Sequence, residues 1–404
     1  LLNTASGKVN SVIGNAITSN SETGIDLGAD NGVTANDLIG DGDTGANNLQ
    51  NFPVLTSAAS SPAGTTIAGS LTTNILGTYR IDFYANHLGG EDGTGYGEGE
   101  RYLGYTTVSS GVLGTVSFTI TLTDAWVNNG DRVTATATVD LGGGVYGATS
   151  EFAMNVVATA SGVVVVDTTA DTIDGNTTSI TTLGNSRGGD QRISLREAIT
   201  AANNTANGAT PDKIVFGING FDAHTIALAS LLPTISQAVV IDGTSDDSFA
   251  VRGDQPAIVL DGGGVVQDGL RLYTGSDGSS VRGLNIQRFT QDGLDITSSG
   301  NTVAGNWIGV GTDGLTARGN LVGINVSSAS NVIGGASASQ RNVISGNGDA
   351  GIKISTASAT GNVVIGNYIG TDSTGTVDLN GTAKVSGVSG VVIQGGASNN
   401  RTGT

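Results

Sequence analysis

The sequence predicts an all-β protein built from two kinds of module: a right-handed parallel β-helix with a capping helix, and an immunoglobulin-like β-sandwich. Three observations carry this reading. A Gly-apolar-x-apolar unit recurs at Gly269-Leu270-Arg271-Leu272, Gly293-Leu294-Asp295-Ile296, Gly323-Ile324-Asn325-Val326, Gly351-Ile352-Lys353-Ile354 and Gly390-Val391-Val392-Ile393. Its irregular spacing and lack of a helical apolar period are how a solenoid of short strands reads. Residues 51–158 differ: they hold evenly spaced alternating segments, Gly/Asn turns and most of the aromatic residues, as a compact sandwich requires. Finally, 65 of the 404 residues are Gly and only 5 are Pro, without a collagen-like period, so tight turns are frequent.

Residues 1–50 are expected to form a terminal β-helix coil and an Asx-rich linker. Ser11-Val12-Ile13-Gly14-Asn15-Ala16-Ile17 matches Val363–Ile369, and Gly24-Ile25-Asp26-Leu27 repeats the strand unit. In the linker, Asp37, Asp41, Asp43 and Asn47 place alternating oxygen donors around Gly42, a candidate Ca²⁺ loop, although Phe52 stands where a bidentate Glu would close it. Residues 51–158 are expected to be the sandwich, with strands over 65–71, 79–85, 102–108, 115–122, 132–139 and 151–157 and a possible edge at 52–55. Glu91, Asp92, Glu98 and Glu100 read as a solvated loop tip within it.

Residues 159–230 read as linker and cap. Ser194 and Glu197 form a capping box, and Leu195, Ile199 and Ala202 fall on one helix face. A solenoid needs its apolar end covered, and this helix precedes the repeats. Residues 231–404 are the β-helix, with Val/Ile inside, Thr/Ser/Asn outside, and Gly and Asn supplying positive φ at the corners.

Ile193-Ser194-Leu195-Arg196-Glu197-Ala198-Ile199 resembles the CSLREA motif of large bacterial surface proteins, with Ile193 where that family has Cys. Gly334-Gly335 through Arg341-Asn342-Val343-Ile344-Ser345-Gly346-Asn347 resembles the parallel β-helix repeats that follow the motif. The stretch from Asp41 to Leu55 resembles the segment that joins such repeats to an Ig-like domain. The resemblance implies an extracellular, multidomain surface protein and no named activity.

The formal charge of −18 disfavours nucleic acid and anionic membranes, and the lack of Cys excludes disulfides and thiolate chemistry. No apolar run is long enough for a membrane helix, and the opening residues lack a signal-peptide pattern, so the chain reads as a mature form or an excerpt. Asp292, Asp295 and Arg288, with Asp313 and Arg318 nearby, are the nearest grouping to a polysaccharide lyase or epimerase site. Asp-Gly is also an ordinary turn dipeptide. His87 and His224 are the two histidines, and no nucleophile elbow accompanies them. Trp307 and Tyr368 are the aromatic candidates for a glycan platform on the solenoid, their matching repeat positions favouring core or turn roles.

The expected function is therefore non-enzymatic: a structural subunit of an extracellular bacterial filament or surface layer, secreted to the cell surface. Its copies would join head-to-tail by β-helix stacking, with Val12, Ile13, Ile17, Ile25 and Leu27 meeting Val391 and Ile393. An adhesin or glycan-binding module is the first alternative, and a lyase or epimerase the second.

Overall fold

A computed structural model describes residues 9–28, 32–37, 44–74, 76–91, 93–379 and 388–403. The protein is mostly sheet with few helices and divides into two compact units. The first comprises Leu1–Val163 with Gly184–Ser186; the second comprises Val164–Leu183 with Arg187–Thr404. Among the described residues no helix is long and apolar enough to cross a membrane.

The first unit holds two largely antiparallel sheets. One orders Thr115–Leu122, Gly64–Thr72 and Val54–Ser61, with Thr159–Ala160 added in parallel. The other orders Arg101–Ser109, Thr78–Asn86, Arg132–Asp140 and Tyr146–Thr149. Ile67, Leu71 and Phe118 of the first share one apolar cluster with Ile81, Phe83, Val133 and Ala135 of the second. The expected edge at 52–55 runs on to Ser61, and Tyr146–Thr149 went unread because glycines surround it. Of the expected strand over 151–157, only Val156–Val157 pairs as one.

The expected coil within residues 1–50 is not what the described residues form. Residues 9–28 contain no strand, only an isolated antiparallel bridge between Ile17 and Gly99. Ile25 and Leu27 are buried with Tyr84 and Phe152, and Val12 and Ile17 pack against that cluster; Ile13 is half-buried. The physical reason lies in the backbone. With no parallel strand beside it, the segment gives its N–H groups to side chains of the first unit. Glu98 accepts from Ser19 and Asn20 at 2.9 and 2.7 Å, and Glu151 accepts from Leu27 at 2.8 Å. The same contacts correct the solvated-loop expectation: Glu98 and Glu100 are buried.

In the second unit, from Val239–Asp242 onward, each pass of the chain visits three parallel sheets in turn. The eight-stranded sheet stacks Val163–Val166, Asp212–Phe216, Val239–Asp242, Ser280–Arg282, Thr302–Ala304, Val332–Gly334, Val363–Ile365 and Arg401–Thr402. The six-stranded sheet contains His224–Ala227, Ile258–Asp261, Leu284–Gln287, Trp307–Ile308, Val343–Ile344 and Tyr368–Ile369. The five-stranded sheet contains Leu270–Leu272, Asp292–Ile296, Val322–Val326, Ala350–Ser355 and Ser389–Gln394. These last five are the recurring Gly-apolar-x-apolar units. They stack with their apolar positions aligned, Leu270, Leu294, Ile324, Ile352 and Val391 in one row. A one-residue slip would turn every such row outward, so the alternating pattern holds the register.

Asparagine does a different job from the one expected. Asn301 Oδ1 accepts the Ser279 N–H, Asn331 Oδ1 that of Asn301, Asn362 Oδ1 that of Asn331, and Asn400 Oδ1 that of Asn362, at 2.8–2.9 Å. A second ladder runs Asn306, Asn342, Asn367 and a third Asn320, Asn347. None of these asparagines has positive φ; the preceding Gly300, Gly305, Gly361 and Gly366 do, at 67–71°. At these four corners glycine makes the turn, while Ser330 and Asn399 take positive φ before Asn331 and Asn400; the ladder asparagines bind neighbouring coils.

The Leu195–Asn204 helix has the expected capping box, with Ser194 Oγ accepting the Glu197 N–H and Glu197 accepting that of Ser194. Leu195, Ile199 and Ala202 are buried in one cluster with Ile214, Phe216, Ile226 and Leu228. Arg196 holds Asp171 bidentately at 2.8 Å.

Candidate functional site

The outward side of the five-stranded sheet carries a cluster of titratable groups. Register alone builds it. Arg271, Asp295, Asn325 and Lys353 occupy one row, because Leu270 pairs with Leu294, Leu294 with Ile324 and Ile324 with Ile352. Asp292 begins the second strand beside Asp268, whose Oδ1 accepts the Asp292 N–H at 3.2 Å. The Tyr273 hydroxyl donates to Asp295 Oδ2 at 2.7 Å, and Asn325 Nδ2 donates to Asp295 Oδ1 at 3.1 Å. Arg271 is anchored by the Leu232 carbonyl at 2.9 Å, and Lys353 lies 3.5 Å from Asp349.

Asp292 and Asp295 share one strand and Asp268 stands just before its neighbour; partial burial makes these carboxylates costly to charge, and their mutual repulsion adds to that. Burial first, then the charges of Asp295 and Asp268, push Asp292 up to about 7. Asp295 is raised for the same reasons, against hydrogen bonds from Tyr273 and Asn325 that favour its charged form. Tyr273 is pushed up to about 12, chiefly by its hydrogen bond to Asp295. The row therefore combines a carboxyl that changes charge near neutral pH with two cations, a phenol and an amide. Such a surface can hydrogen-bond polyhydroxylated ligands and exchange a proton at Asp292.

Of the grouping expected from sequence, only Asp292 and Asp295 come together. Arg288 binds Asp261 at 2.6 and 2.7 Å on the six-stranded sheet, leaving the row to Arg271 and Lys353. Asp313 closes its own turn by accepting from Leu315 and Thr316, and Arg318 is exposed elsewhere. Asp268, Arg271, Tyr273, Asn325 and Lys353 went unread as a set. Only the pairing of strands separated by irregular loops brings them side by side; the aligned x positions of the repeat were the available signal.

Of the candidate Ca²⁺ ligands, Asp41 and Asp43 lie outside the described residues. Asp37 accepts from Asn51 Nδ2 at 3.0 Å. Asn47 is buried, its Oδ1 taking the Asn10 N–H at 2.7 Å and its Nδ2 reaching the Asn10 and Thr149 carbonyls. His87 binds Glu100 at 2.5 Å, and His224 is buried 3.6 Å from Asp246. Trp307 is 7% exposed and packs with Val310, Val343, Tyr368 and Leu379, so neither ring is a free platform. Val391 is half-buried against the apolar cluster and Ile393 is 46% exposed. No family model and no curated protein matches this chain.

Proposed function

We propose that this chain is a structural element of an extracellular bacterial surface or filament. In this reading the second unit is a right-handed parallel β-helix closed by the Leu195–Asn204 helix, and the first unit is an immunoglobulin-like sandwich. The observation that carries it is the set of buried asparagine ladders. They bind coil to coil through internal amides, so the stack gains stiffness from its own side chains. Each coil depends on its immediate neighbours, which is how a solenoid acts as a spacer of extendable length.

The inward rows supply the means of extension. Val391 follows Ile352 and Ile393 follows Ile354 in register, and a further coil laid on them would bury the exposed Ile393. That coil belongs to the same polypeptide or to a second one. Of the residues first expected to provide it, Ile25 and Leu27 are buried in the first unit, and Val12 and Ile17 pack partly buried against them. Electron microscopy and sedimentation test the reading. Fibres or sheets that disappear in Ile393→Asp support it; a strictly monomeric chain at high concentration, unchanged by the substitution, overturns association between copies.

The acidic row favours a second reading, a uronan lyase or epimerase. Abstraction of the proton α to a uronate carboxylate needs a base, an acid and cations over that carboxylate. Asp292, Tyr273, and Arg271 with Lys353 offer those roles. Incubation with oligouronates, followed at the ultraviolet absorbance of the unsaturated product and by NMR for inversion, decides it. No turnover, or turnover unchanged in Asp292→Asn, removes it.

A further inference from the structure

The first unit leaves one sheet edge unguarded. Its four-stranded sheet ends at Thr115–Leu122, which pairs with Gly64–Thr72 on one side and, among the described residues, with no strand on the other. A free edge is a row of unpaired N–H and C=O groups, and folded proteins blunt such rows with short strands, bulges or charge. The other edges of the two sheets carry these devices. Thr159–Ala160 and Val156–Val157 are two residues long, and Tyr146–Thr149 is four residues long with an irregular register. Arg101–Ser109 is longer, but a bulge breaks its pairing beside Gly104 and Arg101 begins it. Thr115–Leu122 has none of them: its eight residues pair in unbroken register and include no Pro, Gly or charged side chain.

Two further observations say what this edge accepts. Its inward side is incompletely covered: Val116, Ile120 and Leu122 are only partly buried against the core, whereas Ile67 and Leu71 of the adjoining strand are fully enclosed. An added strand would cover that apolar rim. The sheet is also without charge. No Asp, Glu, Lys or Arg occurs in residues 44–79 or 102–123, which include all of Val54–Ser61, Gly64–Thr72 and Thr115–Leu122, in a chain of formal charge −18. Copies of so acidic a protein repel one another, and this sheet lets two of them meet without opposing like charges. Recognition of a foreign partner commonly uses complementary charge, and the edge offers none. The strand is instead complementary to itself. Antiparallel neighbours pair side chains of the same face. A two-fold axis normal to the sheet therefore sets the exposed Thr115, Ser117, Thr119 and Thr121 against the same hydroxyl set, and Val116, Phe118, Ile120 and Leu122 against the same apolar set.

We propose that Thr115–Leu122 pairs antiparallel with its counterpart in a second copy of this chain, joining the two four-stranded sheets into one across a two-fold axis. The contact is isologous and closes on a dimer. It is separate from the coil-on-coil extension of the second unit and stands whether or not that extension occurs. Sedimentation of the full chain over a range of concentrations tests it, with and without Ile393→Asp, the substitution that blocks coil stacking. The dimer is present in both. Thr119→Lys sets like charges against each other across the axis and weakens the dimer about tenfold or more. Ala59→Lys adds the same charge to the same face two strands from the edge and leaves the dimer unchanged. Should Thr119→Lys fail to fold by its melting curve, Ser117→Lys carries the same comparison. A monomer at every concentration, equal weakening by Ala59→Lys, or loss of the dimer in Ile393→Asp overturns the proposal.

Discussion

Replacing Asp292 by Asn gives the sharpest physical test of the acidic row. Asp292 is half-buried beside Asp268 and Asp295, with Lys353 and Arg271 the nearest cations and the Tyr273 hydroxyl committed to Asp295. Its carboxyl is pushed up to about 7 in the fold, against ~3.9 in the unfolded chain. The native state therefore binds a proton that the unfolded state releases. The contribution to stability is fully present below pH ~3.9 and is lost as pH rises to about 7, the value in the fold. Without screening, a displacement of that size is worth at most ~4 kcal/mol. Water reaches the half-exposed group, so ~1–2 kcal/mol is the expected effect.

Asparagine cannot ionise and retains a carbonyl acceptor for Asn325. Asp292→Asn should thus leave the melting temperature of the second unit unchanged at pH 4 and raise it by roughly 2–8 °C at pH 8. The gain should open between these values and stay flat above them. Scanning calorimetry at both pH values, in low salt and in 0.5 M salt, measures it, with salt shrinking the gain by screening the neighbouring carboxylates. Equal effects at both pH values, or destabilisation at pH 8, would show that Asp292 is charged and stabilised in the fold, refuting the reasoning.

Asn331→Ala removes the acceptor of the Asn301 N–H and the donor to Asn362 inside the stack; ~2–4 kcal/mol of destabilisation is expected by urea denaturation. A loss below 0.5 kcal/mol would mean the ladder is dispensable. Leu195→Asp places a carboxylate among Ile214, Phe216 and Leu228 and should lower the transition of the second unit by ~3 kcal/mol or more. The first unit, with its own apolar cluster, should melt as before; a coincident drop in both would join the two units into one cooperative block. Asn47→Ala frees the Asn10 and Thr149 groups it binds, so limited proteolysis should cut within 9–28 faster than in the unaltered chain. Protection equal to wild type would show that Glu98 and Glu151 hold the segment alone.

How much of this was legible follows from the range of the interactions. The five-stranded sheet was legible strand by strand, because each Gly-apolar-x-apolar unit carries its own inward and outward sides. The Ser194 box was legible because both partners lie within one turn. The segment over 9–28 misled for the complementary reason. Its local text matches Val363–Ile369, yet where it packs is decided by Glu98, Glu151, Tyr84 and Phe152, far away in the chain. The asparagine ladders misled more gently. Asn after Gly is an ordinary turn signal, and only the stacking of coils 25–38 residues apart reveals that its side chain faces in.

The ladders also bear on where function can reside in such a stack. A coil commits its inward apolar residues and its corner asparagines to its neighbours, and these positions cannot change one at a time without orphaning a buried amide. The outward x positions answer to no such constraint. Along one row they run Arg271, Asp295, Asn325, Lys353 and Val392, sharing register but not chemistry. On the eight-stranded sheet the corresponding freedom sets Arg282 beside Ala304 and opens a groove. An outward residue can therefore change at little cost to the stack. The Asp268–Asp292–Asp295 cluster is the exception, since its mutual repulsion opposes folding at neutral pH. A stack serving only as a spacer gains nothing from keeping three carboxylates together. Their placement beside Tyr273, Arg271 and Lys353 makes that row the first surface on which to look for a ligand that the charge of Asp292 would recognise.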